Sequence, residues 1–280
     1  MADGVPEVAV AAALRAAAER LSPVSDTARL DAELLMAHAL GVSRSDLLLR
    51  HMQRDAPPAF AALVERRAAH EPVAYILGRQ EFHGLALQVT PDVLIPRDDS
   101  ETTLAAALEG AGEDGRVLDC GVGSGALLLA FLAERPGWQG IGIDRAPAAL
   151  AVAAANARAL GLDGRARLAE ADWHAPGWAG ELGRFDRVVA NPPYVESGAD
   201  LAPDVGAFEP AGALYAGPDG LDDYRVLVPS LPGLLAPGGI AVLEIGATQD
   251  AAVAAIAADA GFSCTLRRDL GGRPRALILR

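Results

Sequence analysis

The chain predicts an α/β fold, a doubly wound and mostly parallel sheet preceded by a small helical bundle. From Arg116 onward, short apolar runs alternate with helix-length segments, the signature of β-α-β units. A glycine-rich turn, Gly121 to Gly125, joins the first of these runs to a helix. Before residue 79 the apolar residues recur at helical spacing instead, between capping residues and prolines. At 280 residues, 51% hydrophobic and 22% charged, the chain is globular and long enough for two domains.

Taken in order, residues 7–20 are alanine-rich and helical. Asp26 can cap a second helix, with Leu30, Leu34, Ala37 and Leu40 on one face and Gly41 ending it. Ser43-Arg44-Ser45-Asp46 resembles a capping box for a short third helix. Pro57-Pro58 opens a fourth, with Phe60, Leu63 and Val64 facing inward, and a last short helix lies between Pro72 and Gly78. Residues 1–78 therefore form the bundle. Residues 79–95 form a β-hairpin connector that turns at His83-Gly84, and residues 96–280 form the α/β domain. That domain opens on Ile95-Pro96-Arg97-Asp98-Asp99-Ser100, a charged loop whose Asp99 or Ser100 can cap the next helix. Strands follow at Val117 to Cys120, Gly140 to Asp144, Arg165 to Ala169, Arg187 to Ala190 and Ile240 to Ile245. A helix from Asp223 to Leu235 precedes the last of these. A helix near 249–260 and two terminal strands, Phe262 to Leu266 and Ala276 to Leu279, complete the chain.

Charge excludes several functions. The net charge is −13, a poor match for clamping nucleic-acid phosphates, so no direct nucleic-acid partner is expected. All 24 basic residues are arginines, which rules out a lysine Schiff base and a phosphate-loop lysine. Cys120 and Cys264 are too few and too far apart for a disulfide framework or a zinc site, and read as reduced core residues. The five histidines form no i, i+4 pair, so no metal is expected. No apolar run approaches the roughly 20 residues that span a bilayer, and no basic region followed by a hydrophobic one opens the chain. A cytoplasmic protein without membrane contact is the expectation.

Two stretches carry chemistry. In the first, Gly121-Val122-Gly123-Ser124-Gly125 departs from the dinucleotide fingerprint in its third spacing, yet its glycines let a ligand approach the backbone. Asp144 ends the next strand, where a carboxylate can accept both hydroxyls of a ribose. Together they indicate a nucleoside-bearing cofactor. Trp173, after the third strand, can stack on an adenine, although an isolated tryptophan is more often a core residue. In the second stretch, Asn191-Pro192-Pro193-Tyr194 follows a strand directly. The prolines fix φ and remove two backbone donors, which makes a stiff corner. It presents one amide, bare carbonyls and one aromatic ring at a carboxyl strand end, where ligands bind in open α/β sheets. A planar, amide-like substrate suits it.

Leu118-Asp119-x-Gly121-x-Gly123-x-Gly125 with Asp144 resembles motif I and its acidic partner in class I S-adenosylmethionine-dependent methyltransferases, and Asn191-Pro192-Pro193-Tyr194 resembles the NPPY motif of those that methylate planar nitrogens. Further matches span nearly the whole chain. They are Pro72-Val73-Ala74-Tyr75-Ile76-Leu77-Gly78, Glu81-Phe82-x-Gly84, Ile95-Pro96-Arg97, Phe208-Glu209-Pro210, Gly217-x-Asp219-Gly220-Leu221 and Asp269-Leu270-x-Gly272-Arg273. These resemble the HemK/PrmC family. Asp98-Asp99-Ser100 and Gly206-Ala207 depart from that family's usual residues.

The resemblance implies a Rossmann-like class I methyltransferase fold with a seven-stranded, mostly parallel sheet. It implies methyl transfer from S-adenosyl-L-methionine, giving S-adenosyl-L-homocysteine, to the side-chain amide of the glutamine in the GGQ motif of class-1 peptide chain release factors. It places the cofactor on Gly121, Val122, Gly123, Ser124 and Gly125, with Asp144 on the ribose, Trp173 beside the adenine and Asn191 facing the methyl. It gives Asn191, Pro192 and Tyr194 the catalytic roles, places the substrate on Asn191, Pro192, Pro193 and Tyr194, and lets the bundle help to recognise the release factor. The alternatives are N5-glutamine methylation of a large-subunit ribosomal protein and, more remotely, adenine-N6 methylation of DNA. A non-catalytic adaptor built on the bundle is a third, which an intact cofactor site opposes.

Overall fold

A computed structural model describes residues 8–280. The chain divides into two compact units. One comprises the described part of Met1–Gly78 together with Ala202–Phe208. The other comprises Arg79–Leu201 and Glu209–Arg280.

The first unit is helical. Helices α1 (Val10–Leu21), α2 (Ala28–Leu40), α3 (Arg44–Asp46, continued by a wide turn through His51), α4 (Ala59–Ala68) and α5 (Val73–Leu77) surround Leu14, Leu21, Leu35, Met36, Phe60 and Val64. Gly41 and Gly78 end α2 and α5 in the left-handed conformation that glycine adopts without a Cβ penalty. Ser43 caps α3 by accepting the Asp46 N–H.

Two expectations change here. Asp26 does not cap α2. The cap position falls on Thr27, whose hydroxyl donates to Asp31 instead. The face of α2 is also rotated, because Leu30 is exposed while Asp31 and Glu33 are buried. Arginines make that burial tolerable. Arg67 donates to Asp31 at 2.8 Å, and Arg29 and Arg44 both bind Glu33. A buried carboxylate with an ionic partner needs no place at the surface.

The second unit begins with the hairpin β1 (Arg79–Phe82) and β2 (Leu85–Gln88). His83 and Gly84 both take positive φ, as a two-residue type I′ turn requires. Helix α6 (Ser100–Leu108) follows. Then come β3 (Asp114–Cys120), α7 (Ala126–Glu134), β4 (Gly137–Asp144), α8 (Pro147–Ala159), β5 (Ala166–Glu170) and β6 (Phe185–Ala190). Helix α9 (Pro203–Phe208) belongs to the first unit. The second unit ends with α10 (Asp222–Leu227), α11 (Leu231–Leu234), β7 (Leu235–Glu244), α12 (Asp250–Asp259), β8 (Cys264–Arg268) and β9 (Pro274–Leu279).

The continuous helix expected from Asp223 to Leu235 is instead α10, a 3-10 turn at Val228–Ser230 and α11. Pro229 and Pro232 each remove an N–H that an unbroken helix would use. Neither Asp99 nor Ser100 caps α6 through its side chain. Asp99 pairs with Arg275 at 2.7 Å, and Ser100 is buried and bonded to Glu244.

The seven strands lie in the order β5-β4-β3-β6-β7-β9-β8. Pairing is parallel from β5 through β7, and β9 runs antiparallel between β7 and β8. Alternate residues face opposite layers. Val117 and Val189 meet Leu128, Leu132 and Leu104 on one side, whereas Leu118, Val188 and Ala190 meet Tyr224, Leu227 and Leu231 on the other. Apolar residues on both faces mark a fully covered sheet, which explains runs such as Ala241-Val242-Leu243.

The topology assembles the site. The chain leaves β3 toward β4 and β5, then returns to β6 on the other side of β3, so the strand order reverses there. Register places Cys120 opposite both Ile143 and Ala190. The glycine turn after Cys120, Asp144 and Asn191 are therefore neighbours at one sheet edge, at the switch point where such folds bind ligands.

Candidate active site

A cavity opens at this edge. Its lining includes Gly121, Val122, Gly123, Ser124, Asp144, Trp173, Asn191 and Pro193. Those sequence-predicted residues are brought together. Gly125, Pro192 and Tyr194 do not line it. Gly125 sits at the start of α7, where a Cβ would come within 2.8 Å of Leu129, so it is a close-packing position. Pro192 is buried and Tyr194 half-buried beside the cavity.

The glycine turn is pinned before any ligand is considered. Gly121 and Val122 donate N–H bonds to Ile143 O at 2.9 and 2.8 Å. Gly123 donates to Asp144 Oδ2 at 3.0 Å, and Ala146 donates to Asp144 Oδ1 at 2.9 Å. The carboxylate is thus fixed in direction while keeping acceptor capacity on both oxygens. Gly121 has φ +80, and a Cβ there would lie 3.2 Å from the Trp173 ring. Only glycine lets the indole lie this close to the turn.

Asn191 leaves β6 at the end of its pairing with β3 and β7. It is half-buried, and among the described residues no protein group bonds its side-chain amide. The corner beyond it is clamped. Val195 N–H donates to Leu214 O at 2.8 Å, and Gln249 Nε2 donates to Tyr194 O at 3.0 Å. Burial pushes the Tyr194 phenol up, with the nearby Glu244 carboxyl adding to the effect. A strap made of Glu209, Pro210 and the 3-10 turn Ala211–Ala213 adds Pro210, Gly212 and Ala213 to the cavity's lining. Glu209 holds it by an ion pair with Arg97 and a bond from Ile95 N–H, and Arg145 donates to Gly212 O at 2.8 Å.

Asp119 was legible in the sequence only as part of the glycine motif, yet it is a buried acidic group in the cavity wall. It lines the cavity and is 1% exposed. Leu128 N–H donates to Oδ2 at 3.1 Å, while Oδ1 has no partner. Burial, opposed by the Leu128 bond and reinforced by Asp144, pushes its carboxyl from 3.8 up to about 7. The folded state therefore holds this proton up to about pH 7, whereas the unfolded chain releases it near 3.8. The stability this supplies is fully present below the lower value and is lost as pH rises through the higher one. Asp119→Asn should accordingly unfold at a higher temperature than the wild type at pH 8, by on the order of 2 kcal/mol in stability. At pH 5, between the two values, the difference should be less than half as large, and it should nearly vanish only below 3.8. Thermal unfolding at the two pH values checks this, and an equal difference at both would contradict it.

Glu244, at the end of β7, is the other such group. Burial pushes it up to about 7 against the Ser100 bond and the Arg275 charge. Among the described residues no cluster of His, Cys, Asp and Glu could hold a metal ion, and no helix is long and apolar enough to cross a membrane.

A sheet in this order, with a glycine turn and a carboxylate at adjacent strand ends, defines a class I methyltransferase. Solved structures share the fold. A methyltransferase from Pyrococcus furiosus matches with TM-score 0.52 and 19% identity over 70% of this chain and 88% of its own. An O-methyltransferase family protein from Burkholderia thailandensis matches with TM-score 0.50 and 15% identity over 93% of this chain and 96% of its own. Residues 12–78 match the PrmC N-terminal domain, and residues 97–207 match the methyltransferase small domain. The release factor glutamine methyltransferase of Rhodospirillum rubrum is 45% identical over 90% of this chain and 78% of its own length. That of Cereibacter sphaeroides is 43% identical over 96% of this chain and 97% of its own length. The chain belongs to the release factor glutamine methyltransferase family.

Proposed function

We propose that the protein transfers a methyl group from S-adenosyl-L-methionine to the side-chain amide nitrogen (N5) of the glutamine in the GGQ motif of class-1 peptide chain release factors. The observation that carries this reading is Asn191, at the head of the NPPY corner, facing the cavity that the glycine turn and Asp144 enclose. The names of the relatives support the same substrate.

The cavity chemistry fits the cofactor. Asp144 offers acceptors for ribose hydroxyls, and the unpartnered Asp119 oxygen suits a ligand carrying positive charge. The Asp144 carboxylate at the turn would repel a polyphosphate instead. Gly121 to Ser124 would form the floor and Trp173 a flat wall. When bound, the cofactor supplies an electrophilic methyl group on a sulfonium.

The rest is positioning. A glutamine amide nitrogen is a poor nucleophile, because its lone pair is delocalised into the carbonyl. The Asn191 side-chain oxygen and the Pro192 carbonyl would each accept one of its N–H groups, which orients the nitrogen and raises its electron density. Tyr194 stays neutral at physiological pH and serves as a packing surface rather than a base. No strong base is needed, since the product sheds its proton after transfer. Orientation of this kind is worth roughly 7–11 kcal/mol. The bundle would contribute recognition of the release factor.

The test is a transfer assay with radiolabelled S-adenosyl-L-methionine. Label should enter an intact release factor and not the same factor with Gln→Ala in its GGQ loop. Label on neither, with cofactor still bound, would overturn the substrate assignment and direct the search to the ribosomal protein.

A further inference from the structure

The wall formed by Trp173 is held from a distant part of the chain. Asp223 lies in α10 and is 5% exposed. Its Oδ1 accepts the Trp173 indole N–H at 2.7 Å and also meets His174 Nε2 at 3.0 Å. The next residue, Tyr224, is fully buried and donates its hydroxyl to Glu244 O at 2.7 Å, which ties α10 to β7. A continuous path thus runs from the sheet through Tyr224 and Asp223 to the indole edge. The opposite edge of the same ring sits against Gly121.

Trp173 itself lies just after β5, outside any helix or strand, among exposed residues from His174 to Gly177. The strand does not fix its ring. The ring packs against the core beneath the sheet, and two contacts set its edges, one steric at Gly121 and one hydrogen bond to Asp223. The hydrogen bond is charge-assisted, the stronger kind, and the carboxylate is buried enough that water competes poorly for it.

We infer that Asp223 is a positioning residue for the cofactor, setting the Trp173 ring as the wall of the nucleoside half of the cavity. This rests on reading the cavity as the S-adenosyl-L-methionine site. Asp223 does not line the cavity, and of the two side chains that it holds only Trp173 does, so it acts on the cavity through the indole. Without it, the ring would keep its place beside Gly121 only part of the time, and ligand affinity would fall with that fraction.

Titration with S-adenosyl-L-homocysteine, read by calorimetry, tests this on the full chain. Asp223→Ala should raise Kd about tenfold, the value of a hydrogen bond to a charged group. Asp223→Asn keeps an acceptor oxygen and should lose less. Trp173→Phe removes the group that Asp223 holds, so adding Asp223→Ala to it should change Kd little further. In turnover, Asp223→Ala should raise KM for S-adenosyl-L-methionine more than it lowers kcat, with KM for the release factor unmoved. Tryptophan emission should shift in Asp223→Ala, reporting the freed ring. Unchanged Kd in Asp223→Asn and Asp223→Ala would overturn the inference, as would fully additive losses in the double variant. If Asp223→Ala does not fold, Asp223→Ser, whose hydroxyl is too short to reach the indole, takes its place, and an unchanged Kd there overturns the inference. Failure of the wild type to bind would instead remove the parent reading.

Discussion

Asn191→Ala is expected to lower kcat for glutamine methylation by about 10²–10³-fold, the usual cost of deleting one placed dipole at a reacting centre. Stability should hardly change. The Asn191 amide bonds no protein group among the described residues, so its removal leaves no buried partner unsatisfied. The backbone of the corner is held independently by the Gln249 and Leu214 bonds. Affinity for S-adenosyl-L-homocysteine should move far less than kcat, because the glycine turn, Asp144 and Trp173 are untouched. Asn191→Asp should be at least as damaging. It keeps an acceptor, but it puts a negative charge where a neutral amide must dock and be released. Single-turnover transfer, calorimetric binding and thermal unfolding on the same preparations separate these effects. A matched fall in binding and stability would mean that Asn191 is structural.

The site was legible where its chemistry is contiguous in sequence. The glycine turn, Asp144 and Asn191 each belong to a local pattern, and parallel register is enough to bring them to one edge. The alternation of strands and helices after Arg116 could be read for the same reason, since hydrophobic period is local. What escaped depends on partners far along the chain. Asp99 reads as a helix cap until Arg275 is known to lie beside it. Asp31 and Glu33 interrupt the apolar face of α2 until their arginines are in place. Asp223 sits in a run of acidic residues, and nothing local sets it apart from Asp222, which pairs with Arg225 at the surface. The depth of Asp119 follows from the helices packed over β3. The breaks at Pro229 and Pro232 were the exception, since that signal was local and outweighed by the apolar spacing around it.

Gln249 is the least conspicuous of these distant partners, and its loss should be among the most costly. Its Nε2 donates to Tyr194 O at 3.0 Å and to Gly220 O at 3.2 Å, while its Oε1 accepts the Gly246 N–H at 3.0 Å. One side chain thereby joins the NPPY corner, the loop before α10 and the end of β7. Gly220 completes the clamp from the other side. It has φ +70, and a Cβ there would lie 2.3 Å from Tyr194 O and 2.8 Å from Gln249 Nε2. Neither a backbone carbonyl nor a bonded amide can yield that distance in place. Gly220→Ala must therefore move the corner, and displacement of about 1 Å at a reacting centre costs on the order of 10²-fold in rate. Gln249→Glu should approach the same loss by a different route. It can still accept from Gly246, but its carboxylate faces two carbonyl oxygens that it cannot serve as a donor. Both variants should lose kcat while binding S-adenosyl-L-homocysteine nearly as the wild type does, because the clamp touches none of the glycine turn, Asp144 or Trp173. Steady-state kinetics beside calorimetry decides the matter. Wild-type kcat in Gly220→Ala would show that the corner tolerates displacement and that its rigidity is not what the reaction uses.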